Sequence, residues 1–268
     1  MPTKFGQHFL TDTKVLQSMV ASVRRFGKYD TILEIGPGKG VLTTELVKLA
    51  KRVIAVEIDQ SLAPVLNILA EQHPNLELIF DDVLKLDLAK LGLKNGEYVL
   101  ASNLPYDITG VVLRKFTTAE PWPAHIALLI QKEVAERITA EPGSLSIVGL
   151  AVQAFSDAQL IRIVPPEAFS PKPKVNSAIV TLSNIRKHSA IPPEQETLFF
   201  RLVKGGFAQK RKLLRANLQN INVGGKTIPK TAILEAFKAL NLPETCRAQE
   251  LSLKQWVLLV DKLGLFIV

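Results

Sequence analysis

The sequence has little of what a secreted, metal-binding or membrane-spanning protein needs. Its 268 residues include one cysteine, Cys246, which cannot form a disulfide within the chain. The four histidines are scattered without the spacing of metal ligands, so we predict no metal site. No apolar run reaches the ~18 residues of a membrane span, and the first ten residues lack the apolar core of a signal peptide. We therefore expect a cytoplasmic protein that does not enter a membrane.

Aromatic residues are also few, at 6%, yet the composition is that of a folded protein. The chain is 47% apolar and 22% charged, which excludes a disordered or disulfide-stapled class. The chain is long for a domain with a single compact core and too short for two large domains. Because the pattern becomes helical after Pro192 and Pro193, we predict a main domain over 1–190 and a small helical domain over 191–268.

Acidic residues are absent from one long stretch near the C-terminus. Residues 1–190 hold 21 Lys and Arg against 19 Asp and Glu, whereas residues 191–268 hold 12 against 6, so most of the net charge of +8 lies in the small domain. Between Glu196 and Glu235 the only charged residues are the cations Arg201, Lys204, Lys210, Arg211, Lys212, Arg215, Lys226 and Lys230. A polyanion such as nucleic acid is a natural partner for this stretch, and a solvated basic face is the alternative that charge alone leaves open.

Short apolar clusters alternate with helix-length segments in the first two thirds of the chain. Nearly continuous Val, Ile and Leu clusters, typical of strands buried on both faces of a parallel sheet, lie at 31–36, 52–58, 76–80, 98–102 and 126–131. Helices are expected at 13–26, with Asp12 as the N-cap, and at 40–50, 61–72 and 108–117. An antiparallel pair is expected at 158–164 and 176–183. The sequence therefore predicts an α/β fold with a mostly parallel sheet.

The first of these clusters runs into a glycine-rich turn, Glu34-Ile-Gly36-Pro-Gly38-Lys-Gly40. A dinucleotide-binding loop needs the spacing G-x-G-x-x-G, and Val41 breaks that spacing. The string instead fits E-x-G-x-G-x-G, the loop of methyltransferases that use S-adenosylmethionine. A merely structural turn is the alternative for a lone glycine-rich loop.

Two carboxylates extend this interpretation. Glu57 ends the second predicted strand, where a carboxylate can accept hydrogen bonds from both ribose hydroxyls, and Asp82 follows the third, where it can accept one from an adenine amino group. Either residue alone is equally typical of a surface carboxylate or a helix cap. Together with Gly36 they predict an adenosine pocket at the switch point of the sheet.

The fourth predicted strand ends in Asn103-Leu104-Pro105-Tyr106. An exocyclic base amine is a poor nucleophile because its lone pair is delocalised into the ring. The Asn103 side-chain oxygen and the carbonyl before Pro105 can accept its hydrogens and favour a pyramidal nitrogen. Tyr106 offers a face on which the base can stack, worth ~1–3 kcal/mol. A β-turn with a packed tyrosine is the alternative, and the position of the tetrad beyond the glycine turn and both carboxylates favours a methyl-acceptor site.

Several long motifs occur in a fixed order along nearly the whole chain. Besides the glycine turn, Glu57, Asp82 and the tetrad, they are Lys4-Phe5-Gly6-Gln7-His8-Phe9-Leu10, 131–134, 166–177, 207–212 and 247–252. In this set and order they resemble the small-subunit (16S) rRNA adenine dimethyltransferases, relatives of the macrolide-resistance rRNA methylases and of mitochondrial transcription factor B. The last two motifs favour the dimethyltransferase branch. The family usually has Asn after the tetrad, where this chain has Asp107.

The resemblance implies a Rossmann-type S-adenosylmethionine-dependent methyltransferase domain with a small all-helical C-terminal domain. It implies that the cofactor is contacted by His8, Leu10, Gly36, Glu57, Asp82 and Asn103. It implies that the target base is contacted by Asn103, Leu104, Tyr106 and Phe169, with Phe169 as a second aromatic wall. The family transfers two methyl groups to N6 of each of two adjacent adenines in a hairpin loop near the 3′ end of small-subunit rRNA, on a late 30S assembly intermediate.

The basic stretch is the expected rRNA-binding surface of a protein that we expect to be monomeric. Its candidate contacts are Arg201, Lys204, Lys210, Arg211, Lys212 and Arg215. A single helix over 199–218 would place four of these cations beside an apolar face, but Gly205-Gly206 can interrupt it, so only the part after Gln209 is predicted as helix. A methyltransferase acting on DNA adenine or large-subunit rRNA, and a non-catalytic assembly or transcription factor, are the alternatives.

Overall fold

The computed structural model describes residues 7–186, 189–223, 226–264 and 266. They form two compact units: the first holds the described residues of 1–136 and 156–187, and the second those of 137–155 and 188–268. The motif residues Lys4, Phe5 and Gly6 lie outside the described residues. No helix in the described ranges is long and apolar enough to cross a bilayer.

A seven-stranded sheet, built wholly from described residues, organises the first unit. In chain order the strands of this unit are β1 (Phe9–Leu10), β2 (Thr31–Ile35), β3 (Arg52–Glu57), β4 (Leu76–Phe80), β5 (Tyr98–Asn103), β6 (His125–Gln131), β7 (Asp157–Val164), β8 (Phe169–Ser170) and β9 (Ser177–Ser183). The order across the sheet is β4-β3-β2-β5-β6-β9-β7. The pairings from β4 to β6 are parallel, and β9 runs antiparallel to both β6 and β7. The expected strands and the closing antiparallel pair are confirmed.

Helices alternate with the strands of this sheet along the chain. They are α1 (Thr13–Arg24), α2 (Thr43–Leu46), α3 (Ala63–Gln72), α4 (Thr109–Thr118) and α5 (Lys132–Ile138). The expected cap of α1 is confirmed, since Asp12 Oδ1 accepts hydrogen bonds from the backbone N–H groups of Lys14 and Val15. The crossover expected over 40–50 contains only the single turn of α2, because i→i+3 hydrogen bonds tighten the chain after it.

The second unit has its own apolar core. Its elements are α6 (Ile147–Gln153), α7 (Glu196–Gly206), α8 (Leu214–Gln219), the short strand pair β10 (Asn222–Val223) and β11 (Lys226–Thr227), α9 (Lys230–Ala239) and α10 (Leu253–Gly264). The strand pair is a departure from the all-helical domain that the sequence predicts. Leu150 and Phe155 belong to the same buried cluster as Phe199 and Trp256. The predicted first domain over 1–190 is therefore corrected for residues 137–155, which pack in the second unit.

Residues 199–218 form two helices separated by a turn, so a single helix over this range is wrong, and the helix expected after Gln209 begins only at Leu214. The chain is helical before Gly206 and again from Leu214, and the part just after Gln209 is a turn. The buried side chain of Asn217 holds this turn, because its Nδ2 donates to the carbonyls of Gly206 at 2.6 Å and Gln209 at 3.1 Å. A Cβ on Gly206 would lie 2.5 Å from the Trp256 ring, so the helix ends where only glycine fits.

Candidate active site

A cavity lies at the carboxyl edge of the parallel strands. Its walls come from residues 7–10, 34–39, 41–42, 56–58, 81–84 and 103–108. These segments are the chain ahead of α1 and the stretches where β2, β3, β4 and β5 end. Strands β3 and β4 lie on one side of β2, and β5 and β6 lie on the other. The cavity is therefore at the point where the strand order reverses, which is the usual place for a ligand in such a sheet.

The glycine turn brings backbone close to this cavity. Gly36 and Gly38 have φ values of +63° and +59°, a conformation that side chains disfavour. A Cβ on Gly38 would lie 3.1 Å from a ring carbon of Phe9. A side chain at this position would be strained by the positive φ and would crowd the Phe9 ring, and the backbone N–H of Gly38 is directed at the next strand.

Glu57 receives that N–H. Its Oε2 atom accepts a hydrogen bond from Gly38 N at 3.1 Å, and its Oε1 atom accepts one from Asp59 N at 2.9 Å. The residue is 2% exposed. Each carboxylate oxygen keeps further lone pairs, so Glu57 is fixed by the backbone and can still accept hydrogens from hydroxyl groups in the cavity.

Asp82 stands in the turn after β4. Its Oδ1 atom accepts a hydrogen bond from Leu84 N at 2.9 Å, and its Oδ2 atom lies 3.6 Å from Lys85 Nζ. Ile58, Val83 and Leu84 line the cavity beside the two carboxylates and supply apolar surface for a flat ring. None of these three residues was expected from the sequence, although Ile58 adjoins Glu57, and Val83 and Leu84 follow Asp82 directly.

The segment ahead of α1 is built into the site. Strand β1 pairs antiparallel with β8, so that Leu10 faces Phe169 in register. His8 Nδ1 is 2.7 Å from the carbonyl oxygen of Pro171, and the His8 carbonyl accepts a hydrogen bond of 3.1 Å from Asn103 Nδ2. This last bond occupies the amide NH₂ group of Asn103 and leaves its side-chain oxygen available to accept a hydrogen from a ligand.

Tyr106 is half-buried at the mouth of the same cavity. Its hydroxyl is 2.7 Å from Ser177 Oγ, and its ring centroid is 5.5 Å from that of His8. Burial raises the pKa of Tyr106, so the phenol stays protonated at neutral pH. Phe169 is buried, and its side chain is not among the residues that line the cavity. All six expected cofactor residues thus line one cavity together with Leu104 and Tyr106. Phe169 does not line this cavity.

Glu34, the first residue of the glycine motif, has an unexpected environment. Its side chain is 1% exposed, and its Oε2 atom has no hydrogen-bond partner among the described residues. Burial, together with the negative charge of nearby Glu57, raises the pKa of Glu34 to about 8. The carboxyl is therefore largely protonated at neutral pH, and the pocket carries less negative charge than its sequence suggests.

Known proteins resemble this chain over most of its length. A family model described as ribosomal RNA adenine dimethylase matches residues 1–256. The chain belongs to the ribosomal RNA adenine dimethylase family. A relative from Dehalococcoides mccartyi, named ribosomal RNA small subunit methyltransferase A, is 37% identical over 95% of this chain and 85% of its own length. A relative of the same name from Acaryochloris marina is 38% identical over 96% of this chain and 95% of its own length.

Solved structures share the fold of this dimethylase family member. A dimethyladenosine transferase from Plasmodium falciparum superposes with a TM-score of 0.78 at 26% identity, over 97% of this chain and all of its own. The 23S rRNA methyltransferase ErmE superposes with a TM-score of 0.74 at 23% identity, over 96% of this chain and 99% of its own. The expected α/β, Rossmann-type methyltransferase fold is therefore confirmed.

Replacing Glu34 by Gln should flatten the dependence of stability on pH. The folded-state pKa of about 8 lies above the ordinary 4.5, so the stabilisation due to the protonated carboxyl is complete below pH 4.5 and is lost as the pH rises to about 8. The steepest loss is about 1.4 kcal/mol per pH unit. Urea denaturation of both proteins from about pH 5 to about pH 8.5 measures this difference in slope.

The matched control is Glu71→Gln, on the exposed face of α3, which should keep the wild-type dependence. Parallel stability curves for wild type and Glu34→Gln would contradict the assignment of a neutral carboxyl.

Proposed function

We propose that this protein uses S-adenosylmethionine to convert two adjacent adenosines in a hairpin loop near the 3′ end of small-subunit (16S) rRNA to N6,N6-dimethyladenosine during ribosome biogenesis. The observation that carries the proposal is the amide of Asn103, held by His8 in the cavity that also contains Glu57 and Asp82. Membership of the rRNA adenine dimethylase family supports the reaction, and the names of the relatives favour the small subunit.

The hydrogen-bond acceptors and apolar side chains that line the cavity fit the proposed cofactor. S-adenosylmethionine supplies an electrophilic methyl group on a sulfonium sulfur. Glu57 can accept hydrogen bonds from the ribose hydroxyls and Asp82 from the adenine amine, and Ile58 and Val83, which line the cavity, would contact the adenine faces. The glycine turn at Gly36 allows close approach of the rest of the molecule, and the segment carrying His8 and Leu10 lines the opposite side.

Asn103 and Leu104 are the proposed acceptors for the target amine. Since the NH₂ group of Asn103 donates to the His8 carbonyl, its side-chain oxygen is oriented to accept one hydrogen of adenine N6, and the Leu104 carbonyl accepts the other. These two bonds favour a pyramidal nitrogen whose lone pair points at the methyl carbon. In each transfer a C–N bond would form as the S–C bond breaks, S-adenosylhomocysteine would leave, and N6 would then lose a proton to water. Before the second transfer N6 has one hydrogen left, so only one of the two acceptors would be used in that step. Catalysis is by positioning, so no covalent intermediate with the protein is needed.

Stacking holds the target base. Tyr106 presents its ring at the cavity mouth, and the bond to Ser177 fixes the ring's orientation. A loop adenine is already partly unstacked, so the few kcal/mol needed to expose a base are reduced. Phe169 stays the proposed second aromatic wall. Because its ring is buried and does not line the cavity, this role requires the ring to become exposed when RNA binds.

The cations of the second unit are the proposed rRNA phosphate contacts. Arg201, Lys204, Lys210, Arg211 and Lys212 are exposed, and Arg215 is partly exposed, although its Nε atom is buried. Such groups bind phosphate without reading sequence, so they orient the RNA and leave the choice of base to the cavity. We expect the protein to act as a monomer in the cytoplasm on a 30S assembly intermediate.

The decisive assay is transfer of labelled methyl groups to unmethylated small ribosomal subunits. We expect incorporation that mass spectrometry of the digested rRNA assigns to N6,N6-dimethyladenosine at two neighbouring positions. Large ribosomal subunits and duplex DNA serve as comparison substrates. Transfer to either in preference to small subunits, or no transfer at all, would refute the proposed function.

Two substitutions should separate cofactor binding from chemistry. Glu57→Ala removes a charge-assisted interaction of ~1.5–3 kcal/mol and should weaken S-adenosylmethionine binding roughly tenfold to a hundredfold. Asn103→Ala should abolish turnover while largely preserving cofactor affinity. Calorimetry with the cofactor and the methyl-transfer assay measure the two effects. Glu71→Ala and Asn67→Ala, both exposed on α3, are the controls. Unchanged affinity in Glu57→Ala, or normal transfer by Asn103→Ala, would exclude the corresponding role.

Binding to the rRNA should weaken steeply with salt. If four cations contact phosphates, log affinity falls with log salt concentration with a slope of about −3 to −4. Replacing Lys210, Arg211 and Lys212 together by alanine should reduce the slope by about 2 to 3. The control replaces Lys254 and Lys262, two exposed cations of α10 outside the stretch. An identical slope in wild type and the triple variant would favour a merely solvated basic face.

A further inference from the structure

Lys115, on α4, directs its ammonium group into the turn that follows β4. The Nζ atom donates hydrogen bonds to the carbonyl oxygens of Val83 at 2.8 Å, Leu84 at 3.0 Å and Leu86 at 3.2 Å. An ammonium group has three hydrogens to donate, so all of them are spent on this one turn. The group is a partly buried cation bonded to three backbone carbonyls, and it differs in this respect from the exposed Lys85 of the same turn.

The turn held in this way carries the adenosine side of the proposed cofactor pocket. Asp82 immediately precedes it, and Val83 and Leu84 line the cavity. Three carbonyl dipoles that converge on one point repel each other unless a cation or several donors lie between them. The conformation that presents Asp82 and the two apolar side chains therefore depends on a positive charge at the position of Lys115 Nζ.

The electrostatic surroundings agree with that requirement. Burial lowers the pKa of Lys115, and the carboxylates of Asp82 and Asp87 act in the opposite direction by stabilising the charged form. A partly buried ammonium is unfavourable by itself, so its hydrogen bonds to the turn and the two carboxylates are what keep it in place. The helix that carries Lys115 begins three residues after Tyr106, so the chain that follows the acceptor tetrad also supplies the side chain that holds the adenosine turn.

We propose that Lys115 is a positioning residue for S-adenosylmethionine, gathering the three carbonyls so that Asp82, Val83 and Leu84 are preset for the adenine ring. This inference rests on the proposed function, whose cofactor it concerns. Lys115 does not line the cavity. Its loss is therefore expected in the affinity for the cofactor, with the methyl-transfer step retained.

The test begins with Lys115→Met, which keeps an apolar stem of similar length and removes the donors. We expect the KM and the calorimetric Kd for S-adenosylmethionine to rise about tenfold. We expect kcat and the KM for small subunits to change less than about twofold. A general loss of packing would lower kcat and affect both KM values, so the split between the two substrates distinguishes positioning from a structural defect.

Lys85→Met is the matched control, because Lys85 belongs to the same turn and lies 3.6 Å from Asp82 Oδ2 with a side chain that is 81% exposed. This substitution removes one positive charge near Asp82 and leaves the hydrogen bonds to the three carbonyls in place. We therefore expect the cofactor affinity to stay within about twofold of wild type. An equal loss in Lys85→Met and Lys115→Met would overturn the proposal, since overall charge would then account for both.

Lys115→Ala provides a second, independent readout. It leaves space beside the carbonyls, so added propylammonium should restore part of the cofactor affinity, whereas Lys115→Met, with the space filled, should not respond. Absence of rescue in a folded Lys115→Ala protein would overturn the proposal. If Lys115→Met does not fold, Lys115→Gln replaces it, because its amide removes the positive charge and keeps a polar group beside the carbonyls. An unchanged Kd for the cofactor in that variant would overturn the proposal.

The outcomes separate this proposal from the proposed function. Wild-type protein that methylates small subunits, together with a Lys115→Met variant of unchanged cofactor affinity, would overturn the role of Lys115 alone. Wild-type protein that binds S-adenosylmethionine without methylating small subunits would refute the proposed function, and a tenfold weaker Kd in Lys115→Met would still support the positioning role.

Discussion

The parallel pairing of β2 with β3 and β5 is the constraint on which the site depends. The carboxyl ends of parallel strands lie at the same edge of a sheet, so residues far apart in sequence meet there even though no local signal in the sequence pairs them. The hydrogen bond from Gly38 to Glu57 converts this proximity into fixed geometry, because it locks the turn after one strand to the last residue of the next. Both residues of that bond line the cavity.

The acceptor side depends on a second bond of the same kind, between Asn103 and the carbonyl of His8. An unrestrained amide presents its NH₂ group and its oxygen equally well, and only the oxygen can hold an amine for attack. By using the NH₂ group internally, the protein fixes the orientation of the Asn103 side-chain oxygen before any ligand arrives. Preorganisation of this type costs nothing at the moment of reaction, which suits the positioning role that we propose for Asn103.

Much of the fold was predictable because its signals are local. The Val, Ile and Leu runs identify strands buried on both faces, and Asp12 marks the start of α1 by its own side-chain chemistry. Glu57, Asp82 and Asn103 could be predicted because each stands where a strand ends. What failed depends on distant partners. Leu150 and Phe155 have the same apolar pattern whichever core they join, and the turn before α8 depends on Asn217, which no local rule relates to Gly206.

The Ser177 contact of Tyr106 has a consequence for substitutions in this part of the sheet. Ser177 begins β9, an antiparallel strand, whereas the carboxylates and the glycine turn follow parallel strands. Only the support of the Tyr106 ring comes from the antiparallel part of the sheet, because Asn103 and Tyr106 themselves stand at the end of the parallel strand β5. A change of residue at the start of β9 would therefore tilt or release that ring and leave the carboxylates and the glycine turn as they are.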